Sequence, residues 1–288
     1  MTSIVATGLS SSAPKTPPVS LVGLLLHSFP TRIMPATFPP ESRVSVCIAA
    51  YNGSQYIAEQ LESILAQLRD DDEVVVVDDH SIDDTVAVVA AISDRRVRLV
   101  RADANRGYVR TFELAIGLAT GDIIFLSDQD DVWLPGRRDA MVKALEDAEL
   151  VVTNFSYFGG EVPRLQRRRL SAGDSTHRLR NIFWIWVGVR PYYGCCMAFR
   201  ADLRARLLPF PSYLTETHDQ WIGFVGNAEG PVRHLEADSV ARRIHDANAT
   251  VKASRPLSTI ARSRAMTARA AFEALRRSRR KDAGERLS

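Results

Sequence analysis

Three runs of polar residues, each directly after a short apolar stretch rich in β-branched side chains, hold the groups in this chain that could do chemistry. They are Ala49, Ala50, Tyr51, Asn52 and Gly53 after VSVCI, Asp78, Asp79, His80 and Ser81 after EVVVV, and Ser127, Asp128, Gln129, Asp130 and Asp131 after DIIFL. In an open parallel sheet ligands bind beyond the carboxyl ends of the strands, so the three runs are expected to converge on one cleft. A single Asp in such a place is more often a helix cap or turn former, which covers Asp83 and Asp84. Asp128, Asp130 and Asp131 repel one another at short range, and a divalent cation among them relieves that repulsion. Hard oxygen donors suit Mg2+ or Mn2+, which complete their shells with phosphate oxygens and water, so a nucleoside diphosphate is the implied ligand. Neither a GxxxxGK[ST] loop nor GxGxxG follows the first apolar run, so the usual backbone cradles for phosphate are missing.

The elements that must position these groups follow from periodicity. VSVCIAA at 44 to 50 reads as a strand, and Ser54 to Arg69 places Ile57, Leu61, Ile64, Leu65 and Leu68 on one helical face. EVVVV at 73 to 77 is a second strand, and Ser81 with Asp84 makes a capping-box-like start to a helix carrying Val86, Val89 and Ala90. Strands at 97 to 100 and 122 to 126 bracket a helix from Tyr108 to Ala119, and a helix from Pro135 to Asp147 precedes a strand at 149 to 154. Continuous apolar strands alternating with helices predict a doubly wound, mostly parallel α/β sheet covered on both faces. After Asn154 the pattern loosens through a basic stretch at Arg164 to Arg180. It tightens again with a strand at Cys195 to Phe199, a helix starting near Thr217 and strands near Val232 and Val240, an α+β second half.

Composition sets the class. With 288 residues, 45% hydrophobic and 25% charged, the chain matches an ordinary globular protein and excludes disordered, collagenous and disulfide-scaffold classes. Cys47, Cys195 and Cys196 are odd in number with two adjacent, so they form no disulfide framework and no zinc spacing, and a reducing cytoplasm is the expected compartment. Val19 to Leu26, the longest apolar run near the start, falls far short of the roughly 20 residues that cross a bilayer, so no span is expected.

The motifs in chain order resemble a known family. AAYNG (49 to 53), VVDDHSIDDT (76 to 85), NRG (105 to 107), ATGDIIFLSDQDDVW (119 to 133), GCCMAFR (194 to 200), LPFP (208 to 211), HDQWIG (218 to 223) and RIHDAN (243 to 248) resemble the family 2 glycosyltransferases, closest to the bacterial branch that adds rhamnose or related hexoses to cell-surface polysaccharides. The resemblance covers residues 43 to 250. It implies a GT-A fold, with a nucleotide-sugar-binding half at 43 to 154 and an acceptor half at 155 to 250. It also implies a nucleotide-diphosphate sugar donor, a saccharide or lipid-linked saccharide acceptor, a divalent metal and inversion at the anomeric carbon. Carried over by position, Ala50, Tyr51, Asn52 and Asp79 match the groups that hold base and ribose, and Arg106 and Gly107 match the donor's neighbourhood. Asp128, Gln129 and Asp130 match the metal motif, with Asp131 an alternative ligand and His245 a candidate for metal or diphosphate contact. Asp219 matches the catalytic base, while Gly194, Cys195 and Cys196 match a segment near the acceptor.

Inverting transfer needs a carboxylate to take the proton of the attacking hydroxyl, and Asp219 fits in type and order; Thr215 or Thr217 could cap the helix it begins, and Asp219 could itself be only a helix-start residue. His218 is ambiguous. Cys195 and Cys196 lack a His/Asn constellation and read as packing groups rather than nucleophiles. Trp133 and Trp221 could stack on sugar faces or pack in the core.

The two ends stand apart. Residues 1 to 42, rich in Ser, Thr and Pro, read as a disordered leader, with the true start expected near Met34. Residues 251 to 288 read as a basic helical tail, carrying eleven Lys and Arg against three acidic residues between 252 and 286. Leu257, Ile260, Ala268, Ala271, Phe272 and Leu275 form a weak apolar stripe there, suggesting a helix lying on anionic lipid at the inner membrane face, or a solvated helix. Nucleic acid is not an expected partner, because interleaved aromatics are missing. The competing readings are a catalytically silent nucleotide-sugar-binding scaffold of the same fold and a nucleotidyltransferase, the latter disfavoured by the missing Gly-rich loop.

Overall fold

The uninterrupted apolar runs of the first half form strands in alternation with helices: β1 (Val44–Ala50), α1 (Ile57–Leu65), β2 (Glu73–Asp78), α2 (Thr85–Ala90), β3 (Val97–Arg101), α3 (Tyr108–Leu118) and β4 (Ile123–Ser127). The computed structural model describes residues 42–160, 168–245 and 256–285, all within the unit Met34–Ser288. The expected leader lies outside the described residues except for Ser42. So do residues 161–167, which include the start of the basic stretch, Asp246 to Asn248 of RIHDAN, and residues 251–255 and 286–288 of the tail.

The chain continues through β5 (Val132–Trp133), α4 (Arg137–Ala144), β6 (Leu150–Phe158), α5 (Arg178–Val187), β7 (Met197–Arg200), the single turn α6 (Arg204–Leu207), α7 (His218–Glu229), β8 (Val232–Arg243) and α8 (Leu257–Glu285). One eight-stranded sheet runs β3-β2-β1-β4-β7-β6-β8-β5. Its first four strands are parallel, as their apolar faces predict. In register, Ala50 lies beside Asp78 and Ile48 beside Ser127, so the three polar runs leave the sheet at the same edge.

Several elements depart from the periodicity. α1 begins at Ile57 rather than Ser54, because the amides of Tyr56 and Ile57 are turned back onto the Gly53 carbonyl. Asp84 at the N-cap of α2 makes no side-chain hydrogen bond, so the Ser81–Asp84 capping box does not form; Asp83 Oδ1 accepts the Thr85 amide, and the Ser81 hydroxyl accepts the Asn52 amide. β7 is antiparallel to both β4 and β6 and joins the two halves of the sheet. The strands expected near Val232 and Val240 are one twelve-residue strand. Helix α5 and the two-residue β5 had no periodic signal of their own.

The C-terminal helix packs through a face that shares only Ala271 and Leu275, both partly buried, with the expected stripe. Thr267, Ala270 and Ala274 are buried, whereas Leu257 is 84% and Phe272 70% exposed. Small side chains at i, i+3 and i+7 let the α8 backbone approach α7, and closeness rather than apolar bulk selects that face. Arginines lock it in place: Arg277 donates to the carbonyls of Arg206 (2.8 Å), Leu207 (3.3 Å) and Pro209 (3.0 Å) and lies over the Trp221 ring at 4.9 Å. Arg264 and Trp186 donate to each other's backbone carbonyls, and Ser278 Oγ donates to the Ala228 carbonyl at the end of α7. These groups are engaged with protein. Ala274→Leu is therefore expected to cost about 1–3 kcal/mol by overpacking, while Phe272→Ser stays within about 0.5 kcal/mol. Removing residues 256–288 should lower Tm by about 5 °C or more. Equal denaturation midpoints for the two point variants would show that the helix does not dock this way.

Candidate active site

The loops after β1, β2 and β4 are stitched together by their own side chains. Gln129 accepts the Tyr51 amide (2.9 Å) and donates to the Tyr51 carbonyl (3.0 Å), tying the first loop to the acidic one. Asn52 accepts the Ile82 amide at 3.0 Å, and the Gly53 amide donates to Thr85 Oγ1 at 2.8 Å. A Cβ on Gly53 would lie 2.2 Å from Gln129 Oε1, so only glycine permits the approach. Asp79 sits nearby, its two carboxylate oxygens accepting the amides of Arg106 and Gly107, each at 2.8 Å. Ala50, Tyr51, Asn52, Asp79, Arg106 and Gly107 are thus brought into one connected set of loops.

Beneath the acidic loop runs a buried polar chain. Gln60, the one polar residue on the buried face of α1, donates from Nε2 to Ser127 Oγ (2.5 Å) and the Asp128 carbonyl (2.9 Å). Trp133 Nε1 donates to the same hydroxyl at 3.1 Å. Arg137 lies 4.7 Å over Trp133, donating to Ser239 Oγ (2.5 Å) and the Cys195 carbonyl (2.7 Å); burial pushes its pKa down to about 10, which leaves it charged. The loop therefore rests on a fixed cation.

Two of the three expected carboxylates meet above it, and the third, Asp130, turns to His245. Asp128, Asp131 and Cys195 offer ligand atoms within 4.8 Å of one another, and Asp130 Oδ2 is 2.7 Å from His245 Nε2. Asp131 Oδ1 accepts the Arg243 amide at 3.1 Å, whereas its buried Oδ2 accepts no hydrogen bond. Burial first, and then the neighbouring carboxylates, raise the pKa values of both Asp128 and Asp131. A cluster that resists its own ionisation and carries an unsatisfied buried carboxylate oxygen fits a hard divalent cation, with Asp128, Asp130, Asp131 and His245 as the donors at hand. The Cys195 thiol is a poor hard-cation ligand, and its own pKa is raised by the adjacent Cys196 and by burial.

Arg242 is the group that sequence reasoning missed. It sits nine-tenths buried beside these carboxylates, 3.9 Å from Asp131 Oδ2, with rings of Tyr193 at 4.5 Å and Phe155 at 5.1 Å under its guanidinium. Against burial, the neighbouring carboxylates Asp131 and Asp128 favour its charged form. Its only signal in the sequence was its place directly before RIHDAN.

Asp219 opens α7 on the other side of the cluster. Burial, and then the charge of Asp128, push its pKa up to about 7, against the Gln220 amide, which it accepts at 2.7 Å, and Arg242. Neither threonine caps the helix: Thr217 is the N-cap but adopts φ 62 and makes no side-chain bond. A left-handed β-branched residue is strained, and here it aims the first turn of α7. His218 stacks on Phe112 at 4.2 Å, and burial drives its pKa down to about 3, so it stays neutral. Gly194 is needed against it, since a Cβ there would lie 2.7 Å from His218 Nε2. Trp221 is fully buried, with Nε1 donating to the Leu207 carbonyl, and Trp133 is buried as well; both rings pack in the core and neither faces an acceptor.

The sequence profile described as glycosyl transferase family 2 matches residues 45–208, more than half of the chain. The chain belongs to glycosyl transferase family 2. The succinoglycan biosynthesis protein ExoO of Rhizobium meliloti is 43% identical over 114 residues, 39% of this chain and 33% of its own. The Escherichia coli protein WfaP, named a UDP-Glc:alpha-D-GlcNAc-diphosphoundecaprenol beta-1,3-glucosyltransferase, is 29% identical over 115 residues, 40% of this chain and 46% of its own. The aligned region thus spans between a third and a half of these relatives. Among solved structures, S. aureus TarS with UDP-GlcNAc superposes with a TM-score of 0.62 at 18% identity over 79% of this chain and 66% of that one. Glucosyl-3-phosphoglycerate synthase of Mycobacterium tuberculosis, with Mn2+ and UDP, gives 0.52 at 21% identity over 83% and 80%. The fold of this family 2 member is GT-A.

Gly53→Ala should expel Gln129 from Tyr51. Hydrogen exchange at the Tyr51 amide is expected to quicken while global stability falls by about 1–3 kcal/mol. Unchanged exchange would mean that Gln129 does not hold the loops together.

Proposed function

We propose that this protein is an inverting glycosyltransferase that moves a hexose or deoxyhexose, rhamnose among the candidates, from a nucleotide-diphosphate sugar to a hydroxyl of a saccharide or lipid-linked saccharide in cell-surface polysaccharide synthesis. The observation that carries this reading is the juxtaposition of Asp219, on which the charge of Asp128 acts, with the Asp128–Asp131 pair and the adjoining Asp130–His245 contact at the carboxyl edge of the sheet. ExoO and WfaP support the polysaccharide setting by name.

In this reading Ala50, Tyr51, Asn52 and Asp79 bind the nucleoside, and Asp79 also fixes the Arg106–Gly107 loop beside it. Asp128, Asp130, Asp131 and His245 would hold Mg2+ or Mn2+, which when bound offsets the charge that grows on the departing diphosphate. Gly194 and Cys195 border the acceptor. Asp219 takes the proton of the acceptor hydroxyl as that oxygen bonds to the anomeric carbon and the bond from that carbon to the diphosphate oxygen breaks. The charge of the buried Arg242 acts on both Asp219 and Asp128 and favours their ionised forms against the larger effect of burial. Attack from the face opposite the leaving group inverts the centre, and no covalent enzyme intermediate forms.

Asp219→Asn should lower kcat by about 10²–10⁴-fold while the Kd for donor in Mn2+ stays near wild type. Because the base must be ionised, kcat should fall as pH drops, with a midpoint at or below about 7, since a cation beside Asp128 weakens the like-charge push on Asp219. Calorimetry with UDP-, GDP- and dTDP-sugars should show binding that chelator removes and that Asp128→Asn or Asp131→Asn weakens. Equal affinity in chelator would remove the metal from this reading, and substantial turnover by Asp219→Asn would move the base elsewhere.

The outward-facing Leu257, Ile260 and Phe272, with the exposed Arg262, Arg276 and Arg279, support contact of α8 with an anionic membrane surface at the cytoplasmic face. Among the described residues no helix is long and apolar enough to cross a membrane.

A further inference from the structure

A second polar cavity, of about 340 Å³, opens beside α5, outside the carboxylate cluster, and its chemistry is the opposite of the cluster's. Arg168, Arg169, Arg180 and Arg190 line it, with Asp174 the one acidic group in its wall among the described residues and Trp184 at its side. Asp174 is shared by Arg180 and, at 2.5 Å, by Arg190. Arg169 turns to Asp238 at 2.8 Å and to the Glu236 carbonyl at 3.0 Å. Arg168 is exposed and meets no carboxylate among the described residues. Four guanidinium groups therefore face three carboxylates, because the charge of Arg169 also acts on Glu236. Only 10% of the Arg190 side chain is exposed, and its buried Nε–H has no acceptor. Like charges crowded into a concave wall, one with an orphaned donor, are an arrangement that a bound dianion would complete. Planar guanidinium groups suit phosphate oxygens, which they meet two at a time.

The cavity is joined to the reacting centre by a short piece of chain. Arg190 is three residues from Tyr193, a span of at most about 11 Å, and the Tyr193 ring lies 4.5 Å from the Arg242 guanidinium at the carboxylate cluster. Asp219 in turn is close enough for its charge to act on the Tyr193 hydroxyl, so this segment runs from the cavity to the proposed base. Phe183 and Trp184, both exposed and with rings 5.2 Å apart, give that end of α5 an apolar surface.

We propose that this cavity is a subsite for a phosphate or diphosphate group carried by the acceptor, so that the acceptor is selected by its charge at one end while its hydroxyl reacts at the other. The assignment rests on the transferase reading above. The donor's own diphosphate is provided for at the loops after β1, β2 and β4, which the arginine cavity does not include.

The test uses the full chain and three kinds of probe in calorimetry: inorganic diphosphate and farnesyl diphosphate, both in EDTA so that the carboxylate cluster cannot recruit them through a metal, and the nucleoside diphosphates UDP, GDP and dTDP with Mn2+. Wild type should bind the two metal-free diphosphates saturably. Arg168→Gln and Arg190→Gln should each weaken that binding about 10- to 100-fold, the share of a charge-assisted hydrogen bond, and leave that of the nucleoside diphosphates with Mn2+ unchanged. Arg168 is exposed, so its variant keeps the test valid where loss of the Arg190–Asp174 pair lowers Tm. Tighter binding of farnesyl diphosphate than of inorganic diphosphate assigns the subsite to a lipid-linked acceptor, and equal binding assigns it to a soluble phosphate-bearing one. Absence of saturable metal-free binding, or equal affinity in wild type and both variants, overturns the proposal. Failure of UDP, GDP and dTDP alike to bind with Mn2+ while the metal-free diphosphates still depend on the arginines would instead overturn the transferase reading.

Discussion

Negative charge gathered where water is scarce is the constraint around which this structure is arranged. Asp128 and Asp131 come from a loop and Asp219 from a distant helix, and burial, followed by the charge of neighbouring carboxylates, makes all three harder to ionise. Left alone, such a group would loosen or take up protons. What keeps it together is a set of fixed cations and dipoles: Arg242 stacked on aromatic rings at its side, Arg243 with its amide on Asp131, and Arg137 beneath the loop. The remaining deficit is the opening for a divalent cation.

The strands provide those compensations by pairing. β5 is only two residues long, yet it sets Val132 beside Ala241 and Trp133 beside Val240, which delivers Arg242, Arg243 and His245 to the acidic loop from over a hundred residues away. On the far side, α7 carries Asp219 and is held from outside by α8, whose Arg277 covers Trp221 and whose Ser278 closes on the last turn. A helix that the sequence suggested for a membrane is in this way part of the scaffold of the proposed base. Its outer face, with Leu257, Ile260 and Phe272, is left for other contacts.

The two charged regions divide the proposed chemistry. An acidic centre suits a donor that arrives with a cation, and an arginine-lined cavity suits an acceptor that arrives with its own phosphate. Because opposite signs are kept in separate places, a phosphate-bearing acceptor is drawn to the arginine wall and repelled from the carboxylates until a metal is present. The short Arg190–Tyr193 segment, which links the two, also supplies the ring on which Arg242 rests.

Much of this was legible in the sequence, for a physical reason. Parallel strands buried on both faces must be continuously apolar, so VSVCIAA, EVVVV and DIIFL declared both the strands and the edge at which polar groups leave them. Repulsion between Asp128, Asp130 and Asp131 is a property of residue type and spacing alone, and so is visible without coordinates. What tertiary structure decided are the relations that depend on distance across the chain. Trp221 and Trp133 look alike to a sugar ring in the sequence, and only packing sends both into the core. Arg242 is one arginine among many until β5–β8 pairing sets it against the carboxylates. The buried face of α8 runs through Thr267, Ala270 and Ala274 because a neighbouring helix rewards closeness, a demand that no single-helix pattern of apolar residues contains.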